Sequence, residues 1–374
     1  MEFTIHNQVL LVVVLLAMLM GAVAGKTNFC TMGAVSDWIN MGDTGRLRAW
    51  LLAMATALGG VLILEATIGL KLDSEVFPPY RTANFAWLRH LLGGLMFGVG
   101  MTLAGGCGNK TLVRIGGGNL KSLVVLVVAS ILAYQMLWGD LYGKLFDSWI
   151  GATTIQLGSR GIASQEVSVL LAGLFGLSPG ANLHLIVGAL VALAMLGFVF
   201  SSEEFRGSFD NILGGLVIGG VVVAGWYVTG GSMGTAWKEY AEFASEAPSR
   251  VQVQSFTFIS PMGDSARYLM QPSQLTFINF GVMALFGVIA GSLLWSLFRR
   301  EFRVEWFVTR EDALNHVIGG ALMGVGGVLA MGCTVGQAIT GFSTLAVGSI
   351  LTFVAIVAGS AATMKYLYWR AMQD

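Results

Sequence analysis

Cys30, Cys107 and Cys333 are the three thiols of a 374-residue chain. Each stands where an apolar run breaks. The stretch "MTLAGGCGNKTL", from Met101, reads as a membrane-type helix interrupted by glycines, a cysteine, an asparagine and a lysine. A thiol is a soft, polarizable contact and a weak S–H donor. It can hold a sulfur-bearing anion loosely while neighbouring N–H groups carry the charge. As a thiolate it would instead be a nucleophile, but no C-x-x-C occurs and no general base stands beside a cysteine in the sequence. Three thiols inside apolar runs do not make a disulfide framework. The plainest alternative is packing, since a buried cysteine behaves as a small apolar side chain.

The elements that must position these thiols are membrane helices. Hydrophobic residues make up 55% of the chain and charged ones only 11%, against roughly 25% charged in a soluble domain; mean hydropathy is +0.73. Lys+Arg equals Asp+Glu at 21 each, so no net field draws in nucleic acid. With about 20 apolar residues per span, about nine helices are expected, centred on 8–25, 48–70, 86–105, 121–139, 182–200, 211–229, 275–297, 314–332 and 344–366. The longer polar stretches 71–85, 140–180 and 230–272 separate them, the last containing what reads as a soluble loop. The fold class expected is an all-α polytopic membrane protein, a single integral domain over 1–374. The N-terminal apolar run is followed by Ala22-Val23-Ala24 but preceded by Glu2 and His6 without Lys or Arg. It therefore reads as a retained span, not a secretory signal.

The distribution of Lys and Arg sets orientation. With the N-terminus outside, the inner loops hold Lys26, Arg46, Arg48, Lys110, Arg114, Lys121, Arg206, the "FRREFR" cluster, Arg310, Lys365 and Arg370. The expected topology is N-terminus out and C-terminus in, with tryptophans such as Trp38, Trp138, Trp149, Trp237, Trp306 and Trp369 near span ends.

"HLLGGLMFGVGMTLAGGC" from His90 and "HVIGGALMGVGGVLAMGC" from His316 agree at ten of eighteen positions without a gap. That is an internal repeat. G-x-x-x-G recurs at Gly94/Gly98, Gly320/Gly324 and, without a cysteine, Gly215/Gly219. Gly21 precedes Cys30 by the same nine residues that separate Gly98 from Cys107 and Gly324 from Cys333. The chain reads as four versions of one unit: glycine-rich span, broken segment, returning span. In the topology above the halves, approximately 1–180 and 206–374, are inverted and joined by an extra helix at 182–200. Inverted repeats with interrupted helices are a transporter signature. After the cysteines, "TMGAVSDWIN", "NKTLVRIGG" and "TVGQAITGF" are too short to cross and fit re-entrant half-helices whose N-termini favour an anion.

These residues resemble the YeeE/YedE family of sulfur-transport membrane proteins, on "NFCTMGAVSD", "GGLMFGVGMTLAGGCGNKTLVRIGGGN" and "GGALMGVGGVLAMGCTVGQAITG". The resemblance implies an hourglass-shaped protein that takes up thiosulfate across the bacterial inner membrane, the ion passing along Cys30, Cys107 and Cys333 by transient hydrogen bonds to thiols. It also implies a cytosolic sulfur-carrier protein as a partner. Selenium species or other soft anions are the alternative cargo, and a membrane thiol oxidoreductase or sulfurtransferase the alternative activity; a passive scaffold is a third reading. No enzyme activity, cofactor or metal is expected, and no nucleic-acid partner. Besides the cysteines, the expected path residues are Gly106, Gly332, Asn109, Lys110, Thr334 and Gln337. Gly93, Gly94, Gly98, Gly319, Gly320 and Gly324 read as helix-packing glycines, and Arg114 as an inner anchor or anion contact. Glu65 is a membrane carboxylate and so a functional candidate, or else snorkels to the interface. His90 and His316 read as markers of helix starts. Met331 stands where the first copy has Gly105, placing a thioether beside Cys333.

Overall fold

The structure is a computed structural model that describes residues 4–72, 79–176, 180–244 and 246–373; parts of the three polar stretches, at 73–78, 177–179 and 245, lie outside the described residues. In chain order the helices are α1 (Ile5–Lys26), α2 (Thr31–Met41), α3 (Gly45–Ile68), α4 (Trp87–Leu103), α5 (Gly108–Gly116), α6 (Leu120–Leu137), α7 (Ser148–Ile150) and α8 (Val167–Phe175). There follow α9 (Ala181–Phe200), α10 (Glu203–Gly207), α11 (Phe209–Gly230), α12 (Ser232–Phe243), α13 (Ile259–Met270), α14 (Phe280–Phe298), α15 (Arg310–Leu329) and α16 (Val347–Ala371). A two-residue ribbon pairs β1 (Asn84–Phe85) antiparallel with β2 (Ile155–Gln156), Asn84 opposite Gln156. Among the described residues, nine helical stretches are long and apolar enough to cross a bilayer. The protein is an all-α polytopic membrane protein.

Caps fix where several spans begin. The side chains of Thr4, Asn119, Asn279 and Thr309 each accept from a backbone N–H in the first turn of α1, α6, α14 and α15, satisfying a donor that the helix cannot.

Glycines set how closely the spans cross. α4 and α15 run antiparallel and touch backbone to backbone. A Cβ on Gly93 would stand 2.7 Å from the Gly326 carbonyl oxygen, and one on Gly319 would stand 2.6 Å from the Gly100 carbonyl oxygen. These contacts are reciprocal: Gly93 and Gly319 hold the same place in the two sequence copies, as do Gly100 and Gly326. The flanking contacts follow the same rule. Gly94 and Gly98 lie against Thr352 and Ile356 of α16, while Gly320 and Gly324 lie against Val125 and Ala129 of α6. Likewise α1 packs on α14 and α11 on α3, with Gly215 against the Ala49 carbonyl. The glycines expected to serve packing do so.

α9 belongs to none of these reciprocal pairs. It lies along α3 and turns Ile186, Leu190, Leu193 and Phe198 outward, as a lipid-facing helix does. One end of the bundle carries the ion pairs Lys26–Asp210, Lys121–Asp312 and Arg370–Glu311. At the opposite end Trp237 donates to His6 near the start of α1, so α1 begins and α16 finishes at opposite ends.

The stretch 230–272 departs from the soluble loop expected of it. It holds α12 and α13, and Phe256, Phe258, Ile259 and Met262 are buried. Their apolar side chains draw α13 against α6 and α14, so its polar residues Asp264 and Ser265 are buried with them.

Candidate functional site

Cys30 is the residue before α2, Cys107 the residue before α5, and Cys333 follows the end of α15. Two of the three expected half-helices form as α-helices. The third, Val335–Gly341, is wound as a wider π-type turn continued by Phe342–Thr344. Each cysteine is buried and unbonded to another.

Their local chemistry differs. The Cys30 sulfur accepts from the Gly33 N–H at 3.4 Å, and the Cys333 sulfur accepts from the Gly336 N–H at 3.4 Å. At Cys107 the corresponding donor is the Lys110 N–H, in a looser contact than at the other two cysteines. The three converge nonetheless. The Cys30 and Cys107 side chains interact directly. Thr334 adjoins the Cys107 thiol, and a Cβ on Gly108 would stand 3.9 Å from the Cys333 Cβ. Cys107 is thus the middle member of a file that runs from Cys30 to Cys333.

Buried polar groups without partners surround this file. They are both side-chain polar atoms of Asn109, the Thr31 hydroxyl and Oε1 of Gln337, while the buried Thr334 and Thr257 hydroxyls face the Cys107 and Cys333 thiols. Burying an unpaired polar group costs roughly 1–3 kcal/mol, so a concentration of them marks a place where something else can bond. The Gln337 amide N–H₂ is used, donating to the Ala330 carbonyl at 2.7 Å.

The other expected path residues fall around the same point. Gly106 abuts the Lys110 stem, its added Cβ 3.1 Å from Lys110 Cγ, and Gly332 abuts Gln337 equally closely at 3.1 Å. Lys110 Nζ donates to Asn28 Oδ1 at 2.8 Å. Arg114 donates to the Gly105 carbonyl at 2.7 Å. Both line a cavity of about 260 Å³ with Arg303, Asn119, Ser292 and Ser296. Met331 does not merely add bulk: it adopts a left-handed φ of 59°, as Gly105 does at 70° in the other copy.

Thr31 and Thr257 were not expected. Thr31 had a signal, since Cys30-Thr31 repeats the dipeptide Cys333-Thr334. Thr257 arrives from a distant segment and lies against Cys333.

Glu65 neither lines this file nor snorkels. It joins Arg81, Glu166 and His184 in a buried cluster: Arg81 to Glu65 at 2.7 Å, His184 to Glu65 at 2.5 Å and to Glu166 at 2.6 Å. Arg81 also donates to the Thr344 carbonyl at 3.0 Å, and Tyr80 donates to the Gly336 carbonyl at 2.7 Å. The cluster therefore grips the segment after Cys333. His90 lies in the first turn of α4, but His316 lies well inside α15, which begins at Arg310, so the pair does not mark matched helix starts; both are buried. His90 Nδ1 lies 2.7 Å from the Thr352 hydroxyl, and His316 Nδ1 lies 2.8 Å from the Asp312 carbonyl.

A family model described as "Sulphur transport" matches residues 26–362, from the turn before Cys30 to deep within α16. The chain belongs to that family. Two curated relatives bear the name thiosulfate transporter TsuA. The one from Escherichia coli K12 is 25% identical over 326 residues, covering 86% of this chain and 84% of its own length. The one from Spirochaeta thermophila is 25% identical over 370 residues, covering 95% and 98%. The match takes in all three cysteines and the α4–α15 crossing, so the family assignment and the site geometry concern the same part of the chain.

Proposed function

We propose that the protein imports thiosulfate, or a sulfur anion of like size, across the bacterial inner membrane along the file Cys30–Cys107–Cys333, and that it does so without catalysis. The observation that carries this reading is the meeting of three buried thiols with unpartnered buried hydroxyl and amide groups. An anion with a soft sulfur end and hard oxygen ends uses both kinds of donor. The thiols give weak S–H contacts; Thr31, Thr334 and Asn109 supply stronger O–H and N–H donors. The first turn of α5, only loosely closed by Cys107, adds backbone N–H groups and the positive end of a dipole. A chain of weak contacts suits transport, because the ion must be able to leave each station.

The inverted halves 1–180 and 206–374, with α9 between them, account for the reciprocal packing of α4 on α15 and of their flanks. The N-terminus lies on the periplasmic side and the C-terminus in the cytoplasm. That assignment puts Lys110 and Arg114 at the cytoplasmic end, where they bond a neutral amide and a carbonyl and line a cavity with Arg303, Glu301 and Glu305. An anion moving inward works against about 2.3 kcal/mol per charge per 100 mV, and cations at that end offset part of it. "FRREFR" and the loop around Arg303 offer a surface for the cytosolic sulfur carrier.

The test is uptake of labelled thiosulfate by cells that have no other sulfur importer, comparing wild type with Cys107→Ala and Cys333→Ala at matched membrane levels. Loss of uptake in both correctly inserted variants is expected. Wild-type uptake in both would make the cysteines packing residues. Transport by wild type of a selenium anion but not of thiosulfate would reassign the cargo.

A further inference from the structure

The four-unit sequence pattern leaves one unit without a cysteine, the one that begins with α11. The structure shows what stands in its place. "NFCTMGAVSD" and "SFTFISPMGD" align without a gap at Asn28 and Ser255, so that Phe29 meets Phe256, Cys30 meets Thr257, and Asp37 meets Asp264. Three spatial features match as well. Phe29 stacks on Trp50 of α3 at 4.6 Å, and Phe256 packs on Phe280 of α14 at 5.2 Å; α3 and α14 are the spans that return after each segment. Cys30 interacts with Cys107, while Thr257 lies against Cys333. Asp37 pairs with Arg46 at 2.5 Å, and Asp264 pairs with Arg250 at 3.1 Å.

Each of these ends also borders a narrow cleft, closed to anything larger than about one water. One is lined by Cys30, Arg46, Thr27, Phe29 and Asn211. The other is lined by Thr257, Arg250, Asp264, Gln254, Ser255 and Asn279. The Thr257 hydroxyl oxygen is buried and faces the Cys333 thiol. It also crowds Gly336, whose N–H caps Cys333.

We infer that Thr257 is a fourth station on the anion's path, the counterpart of Cys30 in the other half, and that the cleft beside Arg250 and Asp264 is the mouth it serves. This rests on the transport reading above and deepens it. The file then runs Thr257, Cys333, Cys107, Cys30; its two ends share the spacing from phenylalanine to aspartate and differ in chemistry, Cys30 capping α2 directly while Thr257 stands two residues before α13. A hydroxyl donates more strongly to oxygen than a thiol does. The Thr257 end therefore selects anions that carry oxygen over those that are all sulfur, and Thr257 is a specificity-determining residue.

The experiment is thiosulfate uptake by Thr257→Val, Thr257→Ser and Thr257→Cys, with hydrosulfide as competitor and Cys107→Ala run in parallel. Valine keeps the shape of threonine and removes only the hydroxyl's bonding. Expected is a rise of roughly tenfold in the half-saturating thiosulfate concentration for Thr257→Val, the scale of one lost polar contact to a substrate, with return toward wild type in Thr257→Ser. Thr257→Cys is expected to become more sensitive to hydrosulfide. Wild-type kinetics in Thr257→Val would overturn the inference. So would equal loss in Val and Ser variants, which would mark a packing role. If Cys107→Ala also transports normally, the transport reading itself falls; if Cys107→Ala is inactive while Thr257→Val is unaffected, only Thr257 leaves the path.

Discussion

Replacing Gly93 with alanine tests whether helix crossing holds the thiol file together. The added methyl would stand 2.7 Å from the Gly326 carbonyl oxygen and 2.9 Å from the Ala330 Cα. Ordinary contact needs about 3.5 Å, and both obstacles are backbone, so no rotamer change relieves them. The nearest obstacle, the Ala330 backbone nitrogen, stands only 2.4 Å away, so α4 and α15 must part by roughly 1 Å. Overpacking of this kind costs about 1–3 kcal/mol. The functional effect is larger than the structural one, because Cys107 lies four residues beyond the end of α4 and Cys333 four beyond the end of α15. A displacement near 1 Å can cost on the order of a hundredfold in a positioned site. Gly319→Ala, the reciprocal substitution, is expected to behave alike, with its methyl 2.6 Å from the Gly100 carbonyl. Gly220→Ala on α11 is the control: nothing lies within 4 Å of its added Cβ, and alanine gains up to about 1 kcal/mol in helix propensity. The assays are thermal unfolding of the solubilised protein and thiosulfate uptake in cells. Gly93→Ala that keeps both its melting temperature and its uptake would refute the argument that this crossing positions the path.

Two further outcomes follow from particular residues. Burial pushes the Glu166 carboxyl up, but the His184 hydrogen bond and the Arg81 charge outweigh it and hold Glu166 below the ordinary glutamate range. Its stabilising contribution is therefore complete above about pH 4.3 and is lost as pH falls through its lowered native value. Glu166→Gln should cost about 3 kcal/mol at neutral pH and flatten the fall of the melting temperature between about pH 5 and 3; parallel profiles for variant and wild type would count against the cluster. Met331 sits at φ 59°, a conformation costing a non-glycine residue roughly 1 kcal/mol. Met331→Gly is expected to raise the melting temperature by about 2 °C, and a lower one would show that the thioether's packing outweighs the backbone strain.

How much of this was legible depends on what each feature leaves in a sequence. Spans announce themselves by twenty apolar residues, and among the described residues nine are found where the runs lie. The half-helices at Thr31–Met41 and Gly108–Gly116 were legible because a break followed by a short apolar segment has few other meanings in a membrane protein. The π-type winding at Val335–Gly341 left no such mark: it is set by where Tyr80 and Arg81 catch the Gly336 and Thr344 carbonyls, a tertiary effect. Glu65 could be singled out as a costly carboxylate, but Arg81, Glu166 and His184 come from three other segments, and no local pattern brings them together.

Thr257 was hidden for a different reason. Its unit inserts α12 and a loop between the glycine-rich span α11 and the half-helix α13, whereas Cys30 follows α1 within four residues. Counting back from it reaches no glycine motif. The polar residues of 230–272 then suggested water, yet Gln254, Ser255 and Asp264 among them are buried beside the narrow cleft next to Thr257. A hydroxyl in place of the fourth cysteine completes the disguise, since threonine is common in loops while cysteine stands out in any sequence. What betrays the unit is spacing within the half-helix: Phe-Cys to Asp and Phe-Thr to Asp run the same length. That spacing survives because the phenylalanine must reach the returning span, the aspartate must reach an arginine at the mouth, and the residue after the phenylalanine must meet a cysteine of its neighbour. Three contacts on one short segment constrain it more tightly than the identity of any single residue does.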